Sequence, residues 1–137
     1  MSAFEFKKFK IELTNEVFKF GTDAALLGAL SPLNSGQNIL EIGTGSGVIS
    51  LMLAQRNSNC SIQAIDINPK AIELAEKNLQ SFPLPNNISF QLNSIQNFKS
   101  TNKPKLILQQ KNTNKILKFN KNNTFNLLNN CFMDKIY

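Results

Sequence analysis

The stretch Asn38-Ile39-Leu40-Glu41-Ile42-Gly43-Thr44-Gly45-Ser46-Gly47-Val48-Ile49-Ser50 decides how this chain is read. A short apolar run closing on an acid, three glycines at alternate positions and a second apolar run spell strand, tight turn and helix. The glycines permit positive φ and let backbone amides approach a ligand with no Cβ in the way. A carboxylate at the strand end, Glu41, and a helix N-terminus facing the same gap frame a pocket for a nucleotide-like molecule. Spacing then narrows the choice. A dinucleotide fingerprint, Gly-x-Gly-x-x-Gly, needs its third glycine where Val48 stands, and here it comes one residue early at Gly47.

Downstream, Val48 to Arg56 is apolar on most sides, as suits a helix lying on a sheet. Ser61-Ile62-Gln63-Ala64-Ile65-Asp66 reads as a second strand that again ends in an acid, 23 residues beyond Gly43. A carboxylate there can accept both hydroxyls of a ribose. Asn68-Pro69 supplies an N-cap and a proline at the first helical position, and Ala71, Ile72, Leu74, Ala75 and Leu79 give the following helix its apolar stripe. Pro83 and Pro85 stop it. Ile88 to Leu92 alternates strictly, which predicts a strand with one wet face at a sheet edge.

Upstream, Phe4, Phe6, Phe9, Ile11 and Leu13 fall at near-alternate positions among Glu5, Lys7, Lys8, Lys10 and Glu12, which suggests a small strand or hairpin with one greasy and one cationic face. Such a face either meets RNA phosphates and bases or is a solvated surface over a packed one. In Thr22-Asp23-Ala24-Ala25-Leu26-Leu27-Gly28-Ala29, Thr22 or Asp23 can cap a short helix that ends before Ser31-Pro32.

The chain has 137 residues, enough for one domain with a core. No run approaches the roughly 20 apolar residues of a membrane span, and no signal-peptide pattern is visible, so the cytoplasm is the expected compartment. Cys60 and Cys131 match no recognisable spacing and there is no histidine, so no metal site is expected. The net charge of +6 suggests nucleic acid until it is located. Residues 1–102 carry eight basic and eight acidic residues, whereas residues 103–137 carry seven lysines against Asp134 alone and are dominated by asparagine and lysine. The composition therefore divides the chain into 1–102 and 103–137.

The acid-x-Gly-x-Gly-x-Gly pattern resembles motif I of the class I S-adenosylmethionine-dependent methyltransferases. The aromatic-rich start with Phe6-Lys7-Lys8-Phe9, then Lys19-Phe20-Gly21-Thr22-Asp23, Leu26-Leu27-Gly28-Ala29 and the glycine loop together look like the bacterial tRNA(Val) adenine-N6-methyltransferases, over roughly residues 4–98. Lys8 stands where that family leads one to expect glutamine. The resemblance implies an α/β, Rossmann-like class I methyltransferase fold: an incomplete parallel sheet with helices on both faces and an N-terminal hairpin. It implies S-adenosyl-L-methionine as cofactor, tRNA as partner, and methyl transfer to the exocyclic N6 amine of the adenosine just 3′ of the anticodon.

Carried over residue by residue, the resemblance puts Glu41 near the methionine end of the cofactor, with Gly43, Thr44, Gly45 and Gly47 as the loop beneath it. Asp66 falls where the cofactor's ribose hydroxyls would lie, with the following Ile67 as a further cofactor-binding candidate, and the Lys19 to Asp23 segment borders the pocket, which makes Lys19 and Thr22 candidate contacts beside the plainer reading of a capped helix. Many methyltransferases have an acid near the adenine after the third strand, where this chain has Asn93 and Ser94. A neutral acceptor there binds more weakly than a carboxylate.

The family's next strand runs into Asn-Pro-Pro-Tyr or Asn-Pro-Pro-Phe, whose amide oxygen and backbone carbonyl hold the target amine while the aromatic ring stacks on the flipped base. This chain has Pro104-Lys105-Leu106-Ile107-Leu108-Gln109-Gln110-Lys111 instead, so a fourth strand over Lys105 to Gln109 is expected and no catalytic residue is assigned. A sheet ending there would leave the Ile39 to Ile42 strand close to an open edge, hence marginal, prone to aggregate or dependent on a partner. Two origins of the 103–137 tail stay open: a frameshift or premature stop, or a basic RNA-binding tail with Phe119, Phe125 and Phe132 as stacking groups. Among functions, the rivals are another class I RNA or protein methyltransferase and a non-catalytic cofactor- or RNA-binding module; oligomeric state is not legible.

Overall fold

The computed structural model describes residues 2–17, 20–100 and 103–109, together with the backbone of 116–119 and 125–128. Strands β1 (Ser2–Glu5) and β2 (Lys10–Leu13) form the expected antiparallel hairpin, with Phe4 opposite Ile11. Helix α1 (Thr22–Leu30) follows, then β3 (Asn38–Ile42), α2 (Val48–Arg56), β4 (Ser61–Asp66), α3 (Pro69–Gln80), β5 (Asn87–Leu92) and β6 (Leu106–Gln109). Two further strands, β7 (Ile116–Phe119) and β8 (Phe125–Leu128), complete a six-stranded sheet in the order β5-β4-β3-β6-β8-β7. All pairings are parallel except β7 with β8.

This order corrects one expectation. β3 is flanked by β4 and β6 and is third of six strands, so it does not lie beside an open edge. The sheet runs straight across the compositional break at Lys103, since β6 pairs with β3 from Ile39 with Leu106 to Ile42 with Gln109. β-pairing is a backbone matter, and a Leu-Ile-Leu run satisfies it whatever the flanking composition. β5 occupies the edge, and of its six residues only Phe90 is buried.

Residues paired across parallel strands point to the same face, so Ile39, Ile62 and Leu106 share one side with Glu41, Ala64 and Leu108. That face carries the main core, where Ile39, Leu51, Leu53, Ile62, Leu106 and Leu108 are all at most 1% exposed. Burying each stabilises the fold by roughly 1.5–3 kcal/mol. α1 and α2 join this cluster through Ala24, Leu27, Val48 and Leu51, and α3 packs on the same face through Ala75 against Ala64 and Phe90. The opposite face, Leu40, Ile42 and Ile65, meets Ile95, Phe98 and Ile107. Of the helices expected on both faces, those among the described residues all lie on one.

The hairpin docks on the helical side through aromatic packing. Phe9 stacks on Phe6 at 4.5 Å between ring centroids and meets Phe82 edge-on at 5.2 Å. The greasy face is thus built by Phe6, Phe9 and Ile11, while Lys7, Lys8 and Lys10 are exposed.

The helix ends follow local chemistry. The N-cap of α1 is Gly21, with no side-chain cap, so Thr22 and Asp23 lie inside its first turn and do not cap it. Asn68 caps α3 as expected: its Oδ1 accepts from the Lys70 amide at 3.0 Å, and Pro69 takes the first helical position. Replacing the cap, Asn68→Ala, is expected to cost about 1 kcal/mol. Urea unfolding checks this, as a lower midpoint with an unchanged slope.

Candidate cofactor site

The site forms where β3 and β4 end side by side. Glu41 pairs with Ala64, and Asp66 lies two residues on, so the two carboxylates share the helical face of the sheet. The loop between β3 and α2 is sewn to the end of β4: the Gly43 and Thr44 amides donate to the Ile65 carbonyl at 2.8 and 3.1 Å. Gly43, Gly45 and Gly47 adopt φ of 74°, 58° and 83°, so every second residue of the loop takes the left-handed conformation that favours glycine. The chain thereby climbs from strand to helix in a shallow coil.

Each carboxylate is held by this loop, in a different way. Glu41 is 1% exposed; its Oε1 accepts from the Thr44 hydroxyl and, at 2.9 Å, from the Ser50 hydroxyl on α2. Its Oε2 is buried with no hydrogen-bond partner. Burial pushes the Glu41 carboxyl up from 4.5 to about 7; the two hydroxyl donors oppose this and the neighbouring Asp66 charge adds to it. Asp66 is half-buried, and its Oδ2 accepts from the Gly45 amide at 2.9 Å while its Oδ1 accepts from the Asn68 amide at 2.9 Å. The acid at the end of β4 therefore reaches across the gap and fixes the middle of the glycine loop.

The other candidate residues are placed as follows. Thr44 is buried against Glu41, Gly43 is exposed and Gly45 half-buried. Ile67 is 76% exposed, directly after Asp66, and Leu92, paired with Asp66, is 57% exposed. Two exposed aliphatic side chains next to Asp66 in sequence or register offer apolar surface that suits the flat face of a base. Asn93 follows β5, donating its amide to the Asp66 carbonyl at 3.0 Å and accepting from the Ser94 amide at 2.9 Å; Ser94 in turn accepts the Asn97 and Phe98 amides at 3.2 and 2.9 Å. Thr22 is exposed in the first turn of α1. Lys19 lies outside the described residues, as do Phe132 and the side chains of Phe119 and Phe125.

Two contributors escape the motif. Ser50 is a hydroxyl inside the apolar run that opens α2, and its only sequence signal is that it follows a strand-end acid across the loop. Asn78 sits on the stripe Ala71, Leu74, Ala75, Asn78, where a polar residue at a buried helical position calls for an explanation; the expected Leu79 is only partly buried. On the other face, Gln109 ends β6 opposite Ile42, is 5% exposed, and its Oε1 has no hydrogen-bond partner.

These features fit a nucleoside cofactor. The buried Glu41 oxygen wants a donor or a cation, and the loop offers backbone with no side chain over Gly45. Among the described residues no cluster of three or more Cys, Asp or Glu comes together to hold a metal ion.

Comparison with known proteins places the chain. Among curated proteins, the tRNA1(Val) (adenine(37)-N6)-methyltransferase of Flavobacteriaceae bacterium (strain 3519-10) is 55% identical over 78 residues, covering 57% of this chain and 34% of that protein. The enzyme of the same name from Aeromonas salmonicida (strain A449) is 41% identical over 101 residues, 73% of this chain and 43% of its own. The chain thus spans less than half the length of these relatives. Among solved structures, precorrin 8w decarboxylase of Methanobacterium thermoautotrophicum superposes with a TM-score of 0.59 at 22% identity, over 72% of this chain and 54% of that one. A SAM-dependent methyltransferase from Thiobacillus denitrificans, in complex with S-adenosyl-L-homocysteine, gives 0.56 at 21% identity, over 71% and 38%. These structural likenesses establish the Rossmann-like fold. The profile of the family described as "Methyltransferase domain" matches residues 33–135, most of the sequence and all of the segment that carries Glu41, the glycine loop and Asp66, and the chain belongs to that family.

Proposed function

We propose that this chain binds S-adenosyl-L-methionine in the hollow between the glycine loop, Glu41 and Asp66, and that it is the cofactor-binding part of an enzyme that methylates N6 of the adenosine beside the anticodon of tRNA(Val). The observation that carries the cofactor reading is the pair of strand-end carboxylates on one face of the sheet, gathered around a loop with positive φ at three alternate residues. The substrate reading is supported by the names of the relatives, which are 55% and 41% identical to this chain over the matched residues.

Bound there, the cofactor would supply an electrophilic methyl group on a positively charged sulfur. The residues of this chain have separate tasks. Glu41 places negative charge under the loop, where burial makes each charge count for more than in water. Asp66 keeps acceptor capacity on both oxygens after taking the Gly45 and Asn68 amides, which serves ribose hydroxyls. Ile67 and Leu92 shed exposed apolar surface against the base, and Asn93 and Ser94 offer polar edges beside it. Lys19 and Thr22 are proposed to close the rim, and tRNA in the cytoplasm is the proposed partner. No helix among the described residues is long and apolar enough to cross a membrane.

A second reading, a cofactor-binding module without transfer activity, is favoured by one observation. β6 ends at Gln109, and the sequence continues with Gln110-Lys111 where the resemblance leads one to expect an Asn-Pro-Pro-aromatic tetrapeptide. The two readings separate in one experiment: incubate the full chain with radiolabelled S-adenosyl-L-methionine and unmodified tRNA(Val), and digest the product to nucleosides. Label in N6-methyladenosine supports the enzyme; cofactor binding without label supports the module. For either reading Asp66→Asn is expected to weaken nucleoside binding by roughly 10–100-fold, because a charged hydrogen bond is worth about 1.5–3 kcal/mol. Calorimetric titration with S-adenosyl-L-homocysteine checks this, and unchanged affinity would remove Asp66 from the site.

A further inference from the structure

The buried amide of Asn78 joins three parts of the molecule that are far apart in sequence. It is 1% exposed in the third turn of α3. Its Oδ1 accepts from the Glu12 amide at 2.7 Å and its Nδ2 donates to the Glu12 carbonyl at 3.1 Å, so it pairs with β2 as a neighbouring strand would. The same Nδ2 donates to the Ser46 carbonyl in the glycine loop at 2.9 Å. The Ser46 carbonyl and the Gly47 amide belong to one peptide plane, and that amide donates to the Thr44 carbonyl at 3.0 Å. One side chain therefore fixes the orientation of the peptide that opens α2 and, on its other side, the backbone of the N-terminal hairpin.

The contacts continue along α3 toward the site. Lys77 Nζ lies 2.7 Å from the Glu12 carboxylate, Val17 packs on Ala71 and Leu74, and the Asn68 side chain donates to the Glu16 carbonyl at 3.4 Å, two residues from Asp66. Residues 12–17 thus form a strap laid along α3, running from the back of the glycine loop to the end of β4.

We propose that Asn78 is a positioning residue that couples this strap to the cofactor loop, so that a ligand settling on the loop tightens the hairpin and a partner on the hairpin tightens the loop. The inference rests on the cofactor reading above for the identity of the ligand, and on the three hydrogen bonds alone for the coupling. A side chain buried only to fill space needs no such bonds, and an amide meeting all three acceptors and donors at once admits one arrangement of strap and loop.

Hydrogen exchange followed residue by residue in the full chain tests it. Asn78→Ala removes all three bonds, and Asn78→Leu removes them while refilling the volume, which guards against a variant that fails through a cavity. Exchange is expected to quicken at least tenfold at both the Glu12 and the Gly47 amides in each variant. The Asn57 amide, which closes the far end of α2 on the Leu53 carbonyl, keeps the wild-type rate. In the wild type, S-adenosyl-L-homocysteine is expected to slow exchange at Glu12 as well as at the loop, and in the variants at the loop alone. A Gly47 amide that keeps its wild-type rate when Glu12 opens would overturn the coupling, with or without nucleoside. A wild-type chain that binds no S-adenosyl-L-homocysteine overturns the cofactor reading instead, and the exchange comparison without ligand still decides on Asn78.

Discussion

Gly47→Ala should lower the unfolding free energy by roughly 2–5 kcal/mol, and Gly47→Val by more. Two independent causes add. Gly47 is the N-cap of α2 with φ of 83°, a conformation that costs an L-residue about 1–2 kcal/mol. A Cβ built there would also stand 2.9 Å from Phe90 Cζ and 3.2 Å from Ala75 Cβ, so β5 and α3 must give way, for about 1–3 kcal/mol more. The second cause can be isolated. Phe90→Leu removes the ring edge, so in a double-mutant cycle with Gly47→Ala the steric part returns as a favourable coupling while the backbone part persists. Effects that simply add would show that the ring does not crowd this position. A total so large falls on a domain whose whole stability is about 5–15 kcal/mol, and it falls on the glycine loop proposed to bind the cofactor.

The second large effect is a dependence on pH lodged at Glu41. Its carboxyl titrates near 7 in the fold against 4.5 in the open chain, so between those values the native state holds more protons than the unfolded one. Stability from this group is therefore complete below pH 4.5, declines as pH rises through 7 and is flat above it. The amplitude is roughly 3 kcal/mol. Glu41→Gln cannot titrate, and its amide oxygen still accepts from Thr44 and Ser50. Relative to wild type the variant should gain stability from pH 5 to about 7 and hold a nearly constant advantage above that, a difference in unfolding midpoint on the order of 10 °C. Thermal unfolding across that range checks it, and a difference that stays constant would mean Glu41 is ionised throughout. The same variant should lose roughly tenfold or more in affinity for the cationic S-adenosyl-L-methionine. Wild-type affinity should rise with pH through 7 as the carboxylate forms, whereas the variant's should not. Gaining stability while losing ligand is what a charge kept in the core for function predicts.

The sheet and the loop were legible because their signals are local. An apolar run, an acid and alternate glycines occupy thirteen consecutive positions, and the bounds of β3, α2 and β4 follow from that text and its repeat at Asp66. Strict alternation from Ile88 to Leu92 announced the edge strand, and Asn68-Pro69 announced the start of α3. The errors arise where partners are remote. Gly21 caps α1 although Thr22 and Asp23 are better capping residues, because the backbone at Gly21 is extended and the helical turn already begins at Thr22, and that geometry decides which residue sits half inside the helix. Asn78 is silent in the sequence, since its partners Glu12 and Ser46 are 66 and 32 positions away. The position of β3 within the sheet was misjudged because composition says little about backbone pairing, and β6 to β8 extend the sheet through a lysine- and asparagine-rich text. Asp66 was expected to serve a ribose; the fold adds a structural task, since its carboxylate also fastens Gly45 and Asn68.

The most direct test of the account is an amide-resolved NMR titration of the full chain with S-adenosyl-L-homocysteine. The prediction is saturable shifts concentrated at Gly43, Gly45, Gly47, Ile67 and Asn93, one ligand per chain, with the Gly45 amide among the largest because it donates from the middle of the loop to the Asp66 carboxylate. Shifts that are absent at saturating nucleoside, or that gather on the hairpin or at β6 while the glycine loop stays still, would contradict it.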